Sequence, residues 1–175
     1  ARRSALLGVA LTSSPVDETY PPLPGALEEL QSICQVWPYG LTPVVDENAL
    51  HTTVQAGLAQ VDCVHFTCHG DFFPENPERS GLLLYDKWFT IGDIYHLCLN
   101  HLDLVVLASC WGASSTILPG DMHIGLPFAF LDSGVQTVVA SLWEVDHAAN
   151  IPFTKTLYKQ IVQYGPMTGV AQAQR

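Results

Sequence analysis

The chain has 175 residues, of which 48% are hydrophobic and only 14% charged, and its net charge is −10. The length and composition suit one globular domain and exclude a disordered or fibrous chain. The acidic balance argues against direct nucleic-acid binding, which depends on clustered Lys and Arg, and the apolar runs are too short to span a bilayer.

Short apolar runs alternate with longer amphipathic stretches along the chain. The runs predicted as strands are Ser4–Thr12, Pro43–Asp46, Val61–Cys68, Gly81–Tyr85, Trp88–Thr90, Leu104–Ser109 and Val135–Leu142. The stretches predicted as helices are Leu27–Cys34, Asn48–Gln60, Ile91–Leu99, Gly125–Ser133 and Ala148–Tyr164, with a further one from Val170. In the first helix, the apolar residues at helical spacing are Leu27, Leu30, Ile33 and Cys34. The segment from Cys110 to Gly120 is rich in Gly, Ser and Pro, which predicts a loop.

Continuous apolar strands with helices between them indicate parallel strands that are buried on both faces. We therefore expect an α/β fold, a three-layer α/β/α sandwich with a mostly parallel central sheet. No internal repeat, low-complexity segment or linker interrupts the sequence, so residues 1–175 are expected to form a single domain. The chain begins without Met, and we expect it to be a piece of a longer protein.

Two predicted strands end on side chains that can do chemistry. His69 and Gly70 follow the first of these strands, and Cys110 and Trp111 follow a later one. Reactive groups gather beyond the carboxyl ends of strands in open parallel sheets, so the imidazole and the thiol meet if these strands are neighbours. A nearby His raises the thiolate content of a Cys and can return the proton to a leaving amine. The backbone N–H groups of Gly70 and Cys110 can cradle an oxyanion.

Five ordered segments carry a resemblance to a known family. They are Val64-His-Phe-Thr-Cys-His-Gly, Asn76-Pro-Glu-Arg-Ser-Gly-Leu-Leu-Leu, Leu107-Ala-Ser-Cys, Asp121-Met-His-Ile-Gly-Leu-Pro and Val139-Ala-Ser-Leu-Trp-Glu-Val-Asp. Together they resemble the CHAT domain family, which consists of caspase-like domains often joined to tetratricopeptide repeats. The family belongs with caspases, separases and gingipains.

The resemblance implies a caspase-like cysteine endopeptidase in which His69 and Cys110 form the catalytic dyad. It implies that neither a third triad residue nor a cofactor is required, and that Gly70 and Cys110 supply the oxyanion site. The implied partners are a protein or peptide substrate and, upstream, tetratricopeptide repeats or an activating partner, with neither nucleic acid nor membrane bound directly. The implied setting is a regulated signalling, defence or cell-death pathway.

Several residues in loops beyond the strands are candidate substrate contacts. They are Asp71, Trp111, Asp121, Trp143, Glu144 and Asp146. Asp146 is the preferred pocket acid, because a buried carboxylate selects Arg or Lys. A solvated loop residue or helix cap is an equally open interpretation of Asp146. Asp121 is equally open as a cap for the helix that follows it.

Some positions depart from the family's pattern. Trp111-Gly112 follows the Cys where the family commonly has x-Thr, and Trp111 can narrow or cover the cleft. Phe128, Glu144 and His147 stand where Arg, Pro and Asp are common. These differences leave the dyad intact and bear on substrate preference.

The cysteines favour a reducing, cytoplasmic location with free thiols, since their number is odd and the chain is long enough to fold without disulfide bonds. Cys34, Cys63, Cys68 and Cys98 are expected to be core residues. The cluster formed by Cys63, His65, Cys68 and His69 suggests zinc. Strand alternation points the first two away from Cys68, and no downstream ligand pair follows, so no metal is expected.

Two function classes besides a peptidase stay open. A signalling or scaffold module would keep the fold without cutting, and Trp111 beside the nucleophile motivates that alternative. A doubly wound nucleotide-binding domain is the weaker alternative, because the sequence lacks both G-x-G-x-x-G and G-x-x-x-x-G-K-[ST].

Overall fold

A computed structural model describes residues 5–108, 115–118, 122–141 and 147–174. The strands are β1 (Leu6–Ala10), β2 (Leu41–Val45), β3 (Cys63–Thr67), β4 (Gly70–Asp71), β5 (Gly81–Leu83), β6 (Trp88–Thr90), β7 (Leu104–Leu107), β8 (Ser115–Leu118), β9 (Met122–Gly125) and β10 (Thr137–Ala140). The α-helices are α1 (Gly25–Cys34), α2 (His51–Leu58), α3 (Ile91–Tyr95), α4 (Leu126–Asp132), α5 (His147–Tyr164) and α6 (Pro166–Ala173). Short 3-10 turns cover Asp46–Asn48 and Pro77–Arg79. Within the described residues, no helix has both the length and the apolarity that a membrane crossing needs.

The central sheet has five strands in the order β10-β7-β3-β1-β2, and all of its pairs are parallel. Parallel neighbours need crossover connections, and here helices supply them. Directly after β3, the chain forms a small antiparallel sheet with the strand order β4-β5-β6. In that small sheet, β5 and β6 approach so closely at Gly81 that an added Cβ would collide with the Phe89 carbonyl.

Both faces of the central sheet are covered, which makes three layers and confirms the predicted fold class. Alternate strand residues contribute to two separate apolar clusters, as the side-chain period of a strand requires. One cluster joins the sheet to α2, α3 and α4 through residues that include Val54, Ile94 and Phe130. The other joins it to α1, α5 and α6 through residues that include Ile33 and Tyr158.

The buried face of α1 agrees with the predicted one at Leu30 and Ile33 and differs at Leu27 and Cys34. Leu27 is 38% exposed and Cys34 is exposed, whereas Glu29 is completely buried. The helix turns toward the sheet with Ala26, Leu30 and Ile33, and Glu29 lies on that same side. The hydrophobic pattern did not identify Glu29 as buried, because it assigns charged residues to the exposed face.

A hairpin replaces part of the predicted loop that ends at Gly120. β8 and β9 pair antiparallel, with Thr116 opposite Ile124 and Ser115 opposite Gly125. The polar Ser and Thr of β8 gave no strand alternation to detect, so the prediction of a loop was wrong for that stretch. The first-turn position predicted for Pro127 is confirmed in α4, where its missing N–H removes no helical hydrogen bond.

A buried carboxylate links the sheet to two helices. Glu29 of α1 accepts hydrogen bonds from Thr67 (2.9 Å), Thr154 (2.7 Å) and Asn150 (2.9 Å). His65 Nε2 lies 3.3 Å from Glu29 Oε1, in an electrostatic contact rather than an aligned hydrogen bond. Burial raises the pKa of Glu29, but the adjacent His65 and the hydroxyl donors outweigh burial, so the pKa lies below its ordinary value.

Removing this carboxylate should destabilise the fold strongly. Glu29→Ala leaves His65 and the donors of Thr67 and Thr154 buried without their acceptor, and we expect a loss of about 3–5 kcal/mol in the free energy of unfolding. Urea denaturation measures that free energy. The matched control is Glu28→Ala, since Glu28 is exposed one position away, and it should cost less than about 1 kcal/mol. Equal losses in the two variants would contradict the role given to Glu29.

The lowered pKa of Glu29 also predicts an acid dependence of stability. A carboxyl group whose folded pKa is depressed stabilises the fold above its unfolded pKa, about 4.3, and that stabilisation is lost as pH falls through the folded pKa. The unfolding free energy should therefore fall more steeply below about pH 4.3 in the wild type than in Glu29→Gln. Urea titrations across that range, with Glu28→Gln as control, measure the slopes. Parallel slopes for wild type and Glu29→Gln would refute this assignment.

Candidate active site

The two strands that end at the predicted dyad are neighbours in the sheet. β3 pairs in parallel with β7, with Cys63 opposite Leu104 and Phe66 opposite Leu107. The pairing continues one residue further, where the Ala108 N–H donates to the Phe66 carbonyl at 2.8 Å. β3 and β7 therefore end side by side at the same carboxyl edge of the sheet, which is where the binding sites of open parallel sheets lie.

Several residues predicted for the site lie outside the described residues. They are Cys110, Trp111, Asp121, Trp143, Glu144 and Asp146. Cys110 follows the last described residue of its strand, Ala108, by two positions. The geometry of the site is therefore built from His69, Gly70 and Asp71, which all belong to the described part.

His69 is held by its backbone and by its ring. The Leu83 N–H donates to the His69 carbonyl at 2.8 Å, which ties the residue to β5. On the ring, Nε2 lies 2.7 Å from the carbonyl oxygen of Pro21. A carbonyl oxygen only accepts hydrogen bonds, so Nε2 carries the proton and the Nδ1 lone pair of the neutral ring is left as the basic position.

Gly70 presents its backbone away from the small sheet. Gly70 stands opposite Leu82, while the flanking bond runs from the Leu83 N–H to the His69 carbonyl. This alternation makes Gly70 and Leu82 a non-hydrogen-bonded pair, in which the N–H groups point outward from the ladder. The Gly70 amide is thus directed away from β5, one residue after His69.

An aromatic residue from the loop before α1 packs against His69. The Tyr20 ring centroid lies 5.1 Å from that of His69 and 5.5 Å from that of Trp88. Its hydroxyl donates to Asp71 Oδ2 at 2.5 Å. Burial, followed by this bond and the charge of Asp71, raises the pKa of Tyr20, so the hydroxyl keeps its proton. The other oxygen of Asp71 accepts from the Phe72 N–H at 2.7 Å.

Sequence reasoning missed Tyr20 and the Pro21 carbonyl. A backbone acceptor leaves no trace in side-chain identity, and Tyr20 sits in a proline-rich loop nearly fifty positions before His69. Among the described residues, the hydrogen-bond partner of His69 Nε2 is the main-chain oxygen of Pro21.

The described cysteines fall into two classes. Cys63 and Cys68 are buried, in the clusters on opposite faces of the sheet, and burial raises the pKa of each thiol to about 12. Cys34 and Cys98 are exposed, so predicting them as core residues was wrong. Cys34 is the last residue of α1 and follows the buried Ile33, so its side chain points away from the buried face. Cys98 lies in the segment between α3 and β7.

A cavity of about 510 Å³ opens at the other edge of the sheet. Its lining includes Cys63, Asp103 and Thr137, which stand at the amino ends of β3, β7 and β10. It is therefore separated from His69 by the length of the strands, and it contributes nothing to the predicted dyad.

Comparisons of sequence identify relatives of the chain. The sequence model of the CHAT domain family matches residues 1–175. Tetratricopeptide repeat protein 28 of Homo sapiens is 27% identical over 184 aligned residues, covering 81% of this chain and 7% of that protein. Its counterpart in Mus musculus is 26% identical with the same coverage. The chain thus spans about 7% of the length of the curated relatives it matches.

Comparisons of structure identify the fold. The crystal structure of the Arg-specific cysteine proteinase gingipain R superposes with a TM-score of 0.61 and 11% identity, covering 97% of this chain and 41% of that one. A complex of the Porphyromonas gingivalis RgpB pro- and mature domains gives 0.60 and 11%, covering 98% of this chain and 42% of that one. At this identity the similarity shows a shared caspase-like fold.

The two cysteine classes should differ in reactivity toward iodoacetamide near neutral pH. Cys34 and Cys98 should be alkylated, because they are exposed, whereas Cys63 and Cys68 should resist, because burial keeps their thiols protonated and out of reach. Peptide mass spectrometry measures the extent at each position. Repeating the reaction in urea is the control, since all sites should then react. Labelling of native Cys68 as fast as Cys98 would contradict the burial described here.

Proposed function

The chain belongs to the CHAT domain family, and from that premise we propose that it is a cysteine endopeptidase with His69 and Cys110 as its dyad. One observation carries the proposal: His69 stands at the carboxyl end of β3 with Nε2 bound to a backbone carbonyl, next to the strand that leads to Cys110. The free Nδ1 of a neutral imidazole is the base that a thiol nucleophile requires.

The proposed reaction proceeds in two halves. His69 Nδ1 takes the Cys110 thiol proton as the sulfur attacks the scissile carbonyl carbon, and it then gives that proton to the departing amine. This breaks the peptide bond and leaves a thioester between Cys110 and the acyl half of the substrate. A water molecule attacks the thioester, His69 takes its proton, and the acid product leaves as the proton returns to sulfur.

The Gly70 and Cys110 amides are the proposed donors for the oxyanion. Gly70 is suited to this role because its N–H points away from β5 and because it has no Cβ to obstruct a substrate backbone. Donors aimed at the developing negative charge contribute substantially to acyl transfer, and removing one typically costs roughly 10²–10³-fold in rate.

The substrate pocket is proposed to form from Trp111, Asp121, Trp143, Glu144 and Asp146. Asp146 is the proposed acid for Arg or Lys before the scissile bond. Gingipain R is Arg-specific by its description, and at 11% identity that preference remains a property of that protein. The proposal for this chain rests on the position of the acid in the sequence, six residues after the end of β10, whose carboxyl end lies at the same edge of the sheet as that of β3.

The proposed setting is a larger cytoplasmic protein in a regulated signalling or defence pathway. The relatives are named for tetratricopeptide repeats, which supports such repeats, or a partner that binds them, as the regulatory element of this domain. A substrate protein would then be presented to the site rather than found by sequence preference alone.

A second candidate is a module that has the fold and does not cut. Two observations favour it: Trp111 directly follows the nucleophile, and the relatives of this chain are named as repeat proteins rather than as proteases. The two candidates differ in whether Cys110 is activated by His69.

Activation of Cys110 can be measured with peptidyl acyloxymethyl ketones that bear Arg, Lys, Leu or Asp. Wild type should form one adduct by intact mass, and the adduct should be absent in Cys110→Ala and at least tenfold slower in His69→Ala, as expected for loss of a general base (roughly 10²–10⁴-fold). The Arg or Lys probe should react fastest if Asp146 lines the pocket.

The matched control for this experiment is Cys98→Ala, which removes an exposed thiol outside the site and should leave the adduct unchanged. No adduct with any probe, in the domain and in the full-length protein alike, would reject the peptidase and favour the non-cutting module. An adduct that forms equally fast in His69→Ala would reject the dyad.

A further inference from the structure

We propose that Tyr20 and Asp71 are positioning residues that form a clasp, holding the Pro21 carbonyl on His69 and so fixing the tautomer of the imidazole. The clasp is defined as the hydroxyl–carboxylate bond between Tyr20 and Asp71 together with the packing of Tyr20 on His69. The proposal deepens the proposed function and rests on it for its catalytic consequence. The part of the proposal that concerns the tautomer of His69 can be tested whether or not the chain cuts a peptide.

The loop that carries the Pro21 carbonyl is anchored at its two ends. The Leu23 N–H donates to the Thr12 carbonyl at 2.7 Å and closes the loop. Thr12 is itself bound to the Asp46 carboxylate, through its N–H at 2.7 Å and its hydroxyl at 2.9 Å. Between these anchors the chain runs over the surface, and Pro21 is exposed. Pro21 lies only two positions before the Leu23 anchor, but that bond engages the Leu23 N–H and does not set the direction of the Pro21 carbonyl.

Tyr20 ties the part of that loop next to Pro21 to His69 and to β4, the strand that follows His69. Its ring packs on His69 at 5.1 Å and edge-on against Trp88 at 5.5 Å, which fixes the side chain from two directions. Its hydroxyl reaches the Asp71 carboxylate at 2.5 Å. Pro21 follows Tyr20 directly, its ring restricts its own φ, and Pro22 restricts the ψ of Pro21, so fixing Tyr20 also directs the Pro21 carbonyl.

Asp71 is placed to act as an anchor. It lies two residues after His69 in β4 and pairs with Gly81, so its backbone is registered on the same small sheet that binds the His69 carbonyl. Both carboxylate oxygens accept bonds from within the protein, one from Tyr20 and one from the Phe72 N–H. Because both of its oxygens are engaged within the protein, we propose that Asp71 positions Tyr20 and does not contact substrate.

The consequence for His69 is a defined proton position. A neutral imidazole in water exchanges between two tautomers, and only the form with the proton on Nε2 leaves Nδ1 as a base. The Pro21 carbonyl at 2.7 Å selects that form. If the clasp opens, the carbonyl moves relative to Nε2, and the fraction of His69 in the required tautomer falls.

The test reads the tautomer directly by long-range ¹H–¹⁵N correlation of the histidine rings, in a Cys110→Ala background that keeps the protein uncut. Subtracting the spectrum of His69→Gln assigns the His69 signals among the 7 histidines. We expect one pyrrole-like resonance at Nε2 and one pyridine-like resonance at Nδ1 in the parent. Tyr20→Phe and Asp71→Ala should move both toward exchange-averaged values, while Asp71→Asn, which retains an oxygen acceptor, should resemble the parent.

The matched control is Tyr39→Phe, which removes the hydroxyl of an exposed tyrosine outside the clasp. An unchanged tautomer in Tyr20→Phe would overturn the clasp. Asp71→Asn as disruptive as Asp71→Ala would also overturn it, because the hydrogen bond would then not be what holds the ring. Neither result depends on peptidase activity, so failure of the clasp is distinguishable from failure of the proposed function.

A kinetic arm connects the clasp to the proposed chemistry where the wild type reacts with the ketone probes. Tyr20→Phe should lower the maximal rate of Cys110 modification roughly tenfold, the effect of losing one hydrogen bond to a charged group, with little change in the concentration for half-maximal rate. A purely structural or substrate-binding role would raise that concentration instead, and such a result would overturn the positioning role.

Discussion

A carboxylate without solvent access, Glu29, is the constraint around which the layer on one face of the sheet is assembled. A buried charge is tolerated only when partners satisfy it, so the partners cannot drift apart without leaving the charge bare. Those partners belong to different elements: Thr67 ends β3, and Thr154 and Asn150 belong to α5. One side chain thus fixes the relative placement of α1, β3 and α5 more specifically than apolar contact, which has no preferred direction.

Each element bound to Glu29 continues toward the carboxyl edge of the sheet. β3 passes through Thr67 to His69, and α1 is preceded by the loop that offers the Pro21 carbonyl. α5 begins at His147, immediately after the segment that contains Asp146. The buried charge therefore lies beneath the edge at which β3 ends and at which α1 and α5 begin. The arrangement separates two tasks: the interior sets where the segments stand, and the surface contacts of Tyr20 set how the imidazole is turned.

The sequence predicted the three layers and the strands β3, β5, β6 and β7, because continuous apolar runs and the polar residues that end them can be identified from side-chain type. It predicted the burial of Leu30 and Ile33 in α1 correctly but counted Leu27 as buried and did not identify Glu29 as buried, because a hydrophobic pattern places apolar residues inside and charges outside. It missed β8, whose Ser and Thr resemble a loop. It missed the Pro21 acceptor for a deeper reason: a main-chain oxygen is common to all residues, so only the path of the backbone reveals which one meets the imidazole.

The main-chain acceptor at residue 21 has an evolutionary consequence. Every amino acid at position 21 carries a carbonyl, so the acceptor atom itself does not depend on the side chain, and the proline there contributes its restricted φ. The path between Thr12 and Leu23 is closed by a bond of 2.7 Å and therefore has a required length. An insertion or deletion there would displace the acceptor while the sequence kept His69 and Cys110, the proposed dyad. Two proteins descended from one ancestor could then share the same His and Cys and differ, through loop length alone, in whether the His is held in the tautomer that the proposed function needs.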